Sequence, residues 1–344
     1  MKAVRIPAPG GGERLLYEDV DDPELRLLSD VIVKLRAATV NRSDLTNSVP
    51  SNCVRMSFPH IPGADGAGVV ISAGAQVRNI KPGDAVCIYP LMACGNCQFC
   101  AKQQEFRCGE RRLLGGREQG TYAEYVRLPA INCFPIPDGL SFEEAAAVSL
   151  AYPTVWRMLF TQADLKPGES VLIMGAGGIG SAALQLATAV GARVFVTSRS
   201  EQKLAAAAER GAHHGIHCPP QDLAQEVRRL TGRRGVDVVV NSIGGDTWSA
   251  GLAALARGGR LVTCGTVAGS NPKTELRRVF WNHLTISAAS FPTRQEFCSV
   301  LEFFNHPCRR PVIDRVFPLR EAGRAHQRLQ QSAPFGKIVL RTDV

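Results

Sequence analysis

The opening "MKAVRIPAPGGGERLLYEDV" lacks an apolar core after its early Lys, which argues against a secretory signal and makes a cytosolic protein the expectation. Long hydrophobic runs are scarce as well. The uncharged stretch Val171 to Val190 carries four glycines within six residues, so a strand, turn and helix explain it better than a membrane span. Internal repeats and low-complexity tails are absent. Cysteines number eleven, an odd count, and seven of them are scattered singly, which excludes a secreted disulfide framework and fits a reducing compartment. There are only seven histidines; His213, His214 and His217 cluster near Cys218, but no carboxylate pattern accompanies them and a solvated loop is expected. Clustered basic tracts are missing too. The net charge is +9, from 40 Lys and Arg against 31 Asp and Glu, yet pairs such as Arg228 and Arg229 or Arg277 and Arg278 are dispersed. That dispersal speaks against nucleic acid and for a polyanionic cofactor or a coenzyme-linked substrate.

What is present divides the chain. At 344 residues it is long enough for two domains at roughly 150 residues each. Residues 1–151 read as short β-rich runs broken by Gly and Pro, among them "DVIVKLRAATV", "GAGVVISAG" and "TYAEYVRLP", which predict a twisted, partly barrel-like β domain. Residues 152–288 alternate strand and helix: "ESVLIMGA", "GSAALQLATAVG", "ARVFVTS", "SEQKLAAAAERG", "VDVVVNSIG", then the helix "TWSAGLAALARGG" and the strand "GGRLVTCG". Repeated β-α-β units imply a doubly wound parallel sheet, hence an α/β chain. Residues 289–344 end in the strand-like "GKIVLR" and are expected to return to the β domain.

"MGAGGIGSAALQLA" sets Gly175, Gly177 and Gly180 in a G-x-G-x-x-G that follows a strand and opens a helix, with Gly178 and Ile179 inside it. Such glycines permit a tight turn, approach of a pyrophosphate to backbone N–H groups, and close helix packing. An NAD site wants a carboxylate about 20 residues on. Ser198 holds that place, with Arg199 beside it and Lys203 nearby, a set suited to a 2'-phosphate, although Glu201 is close. NADPH is therefore the expected cofactor. Ser242, Ile243, Cys264, Gly265 and Thr266 fall at strand ends, where such sheets bind ligands.

Between Cys94 and Cys108, "CGNCQFCAKQQEFRC" spaces four thiols at offsets of three, three and eight. Four thiolates close a tetrahedral metal shell and leave no position for water or substrate.

Taken in order, "VNRSDL", "PGADGAGVV", "KPGDAV", the four-cysteine lobe, "GTYAEYV", the glycine motif, "GGRLVTCG" and "FGKIVL" make the chain resemble the medium-chain dehydrogenase/reductase superfamily over nearly its whole length. The resemblance implies a GroES-like catalytic domain with a structural zinc lobe, a Rossmann domain, and a homodimer or homotetramer joined through "GSNPKTELRRVFWNHLTISAASF". Cys94, Cys97, Cys100 and Cys108 match the family's structural zinc ligands, one zinc per chain. The family's catalytic zinc ligands fall at Asn41, Ala64 and near Leu150, with Asp65 in place of a neighbouring Glu. Ala and Leu cannot coordinate a metal and Asn is a poor zinc ligand.

The resemblance therefore implies the family's zinc-free chemistry, hydride transfer to an activated C=C bond (an enone or enoyl thioester) or to a quinone. An alcohol dehydrogenase with an atypical metal site, or a crystallin-like cofactor-binding protein without turnover, are the alternatives. Asn41 becomes a donor to substrate carbonyl or nicotinamide ribose, or else a loop cap; Arg42 and Lys337 match cofactor- or substrate-contacting residues; Ser43 and Tyr152 are candidate proton donors; and Thr154 matches the Thr at the nicotinamide face. Tyr89, Tyr152, "LTNSVPSNCVRMSFPH" and "SFPTRQEF" are expected to shape the substrate pocket, with Arg55 or Arg294 available to a coenzyme phosphate.

Overall fold

The computed structural model describes residues 1–9, 14–46 and 56–342. It forms two compact units, one of Met1–Leu150 with Thr293–Val344 and the other of Ala151–Pro292.

The first unit is built on the long strand Asp30–Val40, whose Val31, Val33 and Leu35 alternate into an apolar core with Val70, Val86, Ile88 and Val126. Antiparallel partners flank it: Gly66–Ala73 on one side and Tyr125–Pro129 with Lys337–Arg341 on the other. Ala85–Ile88 and Cys133–Pro135 extend the seven-stranded sheet at one end, and Ile313–Pro318 closes the other, running parallel to Lys337–Arg341. The register sets Ile338 opposite Val40. That pairing brings residues almost three hundred positions apart to one end of the strand.

The second unit holds a six-stranded parallel sheet in the order His214–Ile216, Arg193–Thr197, Ser170–Met174, Val236–Asn241, Leu255–Thr263, Thr285–Ala288. Ser170–Met174 is buried along its whole length, as a parallel strand covered on both faces must be. The strand order reverses between Ser170–Met174 and Val236–Asn241, the switch point at which doubly wound sheets bind ligands. The α/β class and the pairing of a GroES-like β domain with a Rossmann sheet stand as expected.

Two local details depart from the sequence reading. Helix Asp246–Ala254 passes directly into the strand Leu255–Thr263, so the strand starts ahead of its glycine pair. Gly258, at φ +73°, accommodates the irregular pairing there. Helix Ala151–Trp156 widens into a π-helical stretch, Arg157–Gln162.

Candidate active site and metal lobe

Asn41 follows the strand Asp30–Val40 and precedes the short helix Arg42–Thr46. Its amide is spent at both ends. Nδ2 donates to Asp65 Oδ2 at 3.0 Å and leans on the Thr39 carbonyl at 3.4 Å, while Oδ1 accepts from Lys337 Nζ. Asp65, fully buried, also takes the Thr39 hydroxyl at 2.7 Å and the Thr39 N–H at 3.2 Å. Lys337 Nζ lies 3.6 Å from Asp65 Oδ2, and 3.4 Å from the Val40 carbonyl. A buried ammonium and a buried carboxylate thus neutralise each other with Asn41 as the bridge, the arrangement that makes ionic burial tolerable.

Beside this trio runs a second buried chain. The Asn41 N–H donates to Asp44 Oδ2 at 2.8 Å, and the Tyr122 hydroxyl donates to the same oxygen at 3.1 Å. Tyr122 also meets His326 Nε2 at 3.2 Å. Because the tyrosine proton goes to Asp44, His326 must donate from Nε2, which fixes its tautomer and leaves Nδ1 without a partner. Burial, and then the nearby Asp65 charge, raise the Asp44 carboxyl to about 7. Burial lowers His326 to about 4. His326 was missed from the sequence. Its signal is helical spacing, for Ala322 and Ala325 mark the buried face of Ala322–Gln330 on which it sits.

These contacts revise two expectations in this unit. Asn41 acts here as cap and bridge, one amide proton on Asp65 and the other 3.4 Å from the Thr39 carbonyl, the loop-cap alternative of the sequence reading. Lys337 is 3% exposed and turned onto Asn41, Val40 and Asp65, so it is not a phosphate contact. Arg42 is half-buried, with Nη2 2.9 Å from the Ser332 hydroxyl. Ser43 lies on the same short helix. Tyr89 packs edge-on to Phe297 at 5.4 Å and is fully buried, a core residue and not a pocket wall. Arg294 approaches Glu105 at 3.8 Å. Its charge is thereby directed at the cysteine lobe and not at a coenzyme. Arg55 and most of the "LTNSVPSNCVR" stretch lie outside the described residues.

In the lobe the sulfurs of Cys94, Cys97, Cys100 and Cys108 lie within 4.8 Å of one another. The spacings Cys94–Cys100, Cys97–Cys100 and Cys94–Cys108 are 3.8, 3.6 and 3.5 Å. A tetrahedral zinc about 2.3 Å from each sulfur would set them about 3.8 Å apart, so the residues fit the ion. The N–H groups of Asn96 and Cys97 hold the Cys94 thiol down, to about 6, which favours the ligating thiolate.

In the second unit the glycine turn is sterically obligatory. A Cβ on Gly180 would sit 1.9 Å from the Gly175 carbonyl oxygen, whereas Gly177, the N-cap of helix Gly178–Ala189, faces open space. Gly175, at φ +89°, donates its N–H to Thr197 Oγ1 at 3.1 Å and has Ile243 packed over it. The structure brings Ser242 against Gly265, where a Cβ would approach the Ser242 carbonyl to 2.6 Å. Cys264 and Thr266 flank that contact. Burial raises the Cys264 thiol to about 12, so it is no nucleophile. A pyrophosphate fits this cradle, with the open space at Gly177, the N-cap of the helix, left free of any side chain.

At the end of Arg193–Thr197, Ser198 Oγ accepts from the Ser200 N–H at 3.1 Å, and Ser200 caps the helix Glu201–Ala208 through the Lys203 N–H. Arg199 is exposed, Lys203 half-buried. Glu201 turns to His217 at 3.5 Å. Tyr152 donates its hydroxyl proton to Gln185 Oε1 at 2.7 Å, so it anchors two helices of this unit and is not available as a proton donor. Thr154 is buried.

Two family models match the chain: the alcohol dehydrogenase GroES-like domain over residues 28–138 and the zinc-binding dehydrogenase domain over 178–306. The zinc-type alcohol dehydrogenase-like protein of Schizosaccharomyces pombe is 31% identical over 97% of this chain and 96% of its own length. The quinone oxidoreductase of Mus musculus is 29% identical over 99% and 97%. A solved NAD-dependent alcohol dehydrogenase superposes with a TM-score of 0.94 at 37% identity, covering 99% of this chain and all of the other. The chain belongs to the medium-chain dehydrogenase/reductase superfamily, alongside the zinc-type alcohol dehydrogenases.

Membership sharpens the meaning of Asn41. The resemblance implies catalytic-zinc ligands at Asn41, at Ala64 and near Leu150; at the first of these the structure shows a lysine ammonium bonded to Asn41. Those residues do not fit a dication. Two of them carry no lone pair, and the third already accepts from a positive charge.

Proposed function

We propose that the protein is an NADPH-dependent reductase of activated C=C bonds or quinones that works without catalytic zinc and keeps one structural zinc in its cysteine lobe. The observation that carries this reading is the Lys337–Asn41–Asp65 trio, since a site neutralised from within has no Lewis acid to stabilise the alkoxide of an unactivated alcohol. An enone or quinone is already electrophilic and needs only orientation and hydrogen bonding. When bound, NADPH supplies the hydride. The chain's residues would hold its pyrophosphate at Gly175, Gly177, Gly178, Ile179 and Gly180, with Ser242, Ile243, Cys264, Gly265 and Thr266 lining the neighbouring strand ends. Ser198, Arg199 and Lys203 would take a 2'-phosphate, the missing carboxylate being the reason to prefer NADPH. Thr154 is assigned to the nicotinamide face, Arg42 to the cofactor phosphate, and Ser43, the remaining hydroxyl of the pair first considered, to protonation of the product.

Similarity to both named activities keeps the alcohol dehydrogenase as the second reading, with the NAD-dependent structure as its support. The deciding experiment measures metal per chain together with NADPH oxidation against a quinone and an enone. One zinc with acceptor-dependent oxidation is expected. Two zincs with alcohol-dependent reduction of NAD or NADP would overturn the reading.

Assembly as a homodimer or homotetramer belongs to the same proposal. Thr285–Ala288 is an edge strand of the parallel sheet, and beside it helix Leu276–Trp281 exposes Leu276, Phe280 and Trp281. An open edge next to bare aromatics is a surface that soluble chains ordinarily cover. No described helix is long and apolar enough to cross a membrane. The odd cysteine count makes the cytosol the compartment we propose.

A further inference from the structure

The geometry points to a second anion site, remote from the glycine turn, that takes a small molecule bearing two or more phosphoryl groups. It is a cavity of about 400 Å³ in the second unit, lined by Arg228, Arg233, Arg234 and Arg257 with Asn282, and no carboxylate is among its lining residues. That volume lies in the range of small-ligand pockets.

Neighbouring arginines show how unusual this group is. Arg229 is paired with Glu226, Arg234 with Asp237, and Arg260 with Glu169. Arg228 donates only to carbonyls, to Ala253 O at 2.9 Å and Ala224 O at 3.5 Å, and Arg233 and Arg257 have no carboxylate partner among the described residues. Three guanidinium groups converge on one cavity with their charge uncompensated, and an anion is what relieves that repulsion. Guanidinium forks match phosphoryl oxygens bidentately.

The wall is also built, not frayed. Arg233 sits in left-handed backbone, φ +69°, a conformation non-glycine residues seldom adopt, and is held there by its own N–H on the Arg228 carbonyl at 2.7 Å. Thr231 clamps the same turn, its hydroxyl donating to Val227 O at 2.7 Å and accepting from Gly235 N at 2.9 Å. On the far wall the Gly258 N–H is fixed to the Asn282 carbonyl at 2.8 Å.

This cavity cannot be the dinucleotide site. It lies where the strands Val236–Asn241 and Leu255–Thr263 begin, whereas the glycine turn follows the end of the parallel strand Ser170–Met174. A strand of that length separates the two by about 15 Å. The arginines surround one open cleft and do not run in a line, and a nucleic-acid backbone needs a track of charges, so a compact anion is favoured.

The test is equilibrium dialysis of inorganic pyrophosphate against the full chain and against Arg233→Gln/Arg257→Gln, each saturated with dinucleotide so that the glycine turn is already occupied, with melting curves run on both; these exposed side chains are not expected to alter folding, and each single variant serves as a check if the double does. We expect one saturable site per chain that weakens at least about tenfold in the double variant, while dinucleotide affinity is unchanged. Absence of saturable binding, or equal binding by the double variant, would overturn the site. Stronger displacement by single-stranded RNA than by tripolyphosphate at equal phosphate would overturn the assignment to a small anion.

Discussion

The first unit holds two polar clusters that contrast, the four-cysteine lobe and the Asn41 trio, which the family resemblance sets at its structural and catalytic metal positions. The lobe keeps four sulfurs at near-tetrahedral spacing, with backbone donors already favouring the thiolate at Cys94. Around Asn41 the structure has instead an internal cation, Lys337, tied through Asn41 to Asp65. Both are solutions to one problem, how to hold several polar groups at close quarters. A metal solves it with lone pairs that converge; an ammonium solves it with hydrogen bonds that radiate. Only the first can be emptied by a chelator, and only the second depends on a residue from the far end of the chain.

The largest effect should come from breaking the lobe. Cys97→Ser or Cys108→Ala is expected to take metal content from one per chain to none and to remove up to on the order of 10 kcal/mol of metal-linked stabilisation. Elemental analysis and urea unfolding with and without chelator measure both. If chelator left the wild-type midpoint unchanged, the lobe would hold no structural ion.

Next is the trio. Lys337→Met leaves Asp65 buried without its counter-charge, and Asp65→Asn leaves Lys337 likewise, so each should cost about 3–5 kcal/mol. The double variant, with both charges gone, should recover much of that loss, giving a favourable coupling in a double-mutant cycle. Additive losses would mean that the two side chains do not neutralise each other.

The neighbouring Asp44–Tyr122–His326 chain sharpens the contrast through pH. Asp44 holds its proton up to about 7 in the folded state against 3.8 ordinarily, so its contribution to stability is lost as pH rises from about 4 to about 7. His326 resists protonation until about 4 against 6.5, so its contribution is lost as pH falls through that same interval. The two slopes oppose, and the wild type should be nearly flat there. Asp44→Asn should expose the acid-side loss and His326→Gln the alkaline-side loss, read as urea midpoints at several pH values. Parallel slopes in both variants would disprove the linkage.

How much of this was legible beforehand follows from distance along the chain. The lobe and the glycine turn lie within short windows whose spacing is itself the chemistry, so Cys94 to Cys108 and Gly175 to Gly180 could be read directly. The trio was not readable, because Lys337 reaches Asn41 only through the register that sets Ile338 opposite Val40. Tyr152 looked like a free hydroxyl because its acceptor, Gln185, lies on another helix. Likewise the sequence alone does not bury Tyr89, since its aromatic packing against Phe297 depends on a helix from the far end of the chain. The early start of the strand Leu255–Thr263 was hidden by Gly258 and Gly259, which read as a break although the sheet tolerates them.

The smallest expected effect is the most telling about the lost site. Asn41→Cys/Ala64→His restores two ligand types, yet metal content should stay at one per chain. Leu150 offers no third donor, and the Lys337 ammonium remains beside position 41, where it would repel a dication and compete with it for the new thiolate. Adding Lys337→Met removes the repulsion but still supplies only two ligands, below the three protein ligands of catalytic zinc sites. A second tightly bound zinc in the Asn41→Cys/Ala64→His variant, measured after exhaustive dialysis, would mean that the ammonium is displaced easily. The difference between the two positions would then be one of ligand loss alone, and the trio would be only packing around the gap.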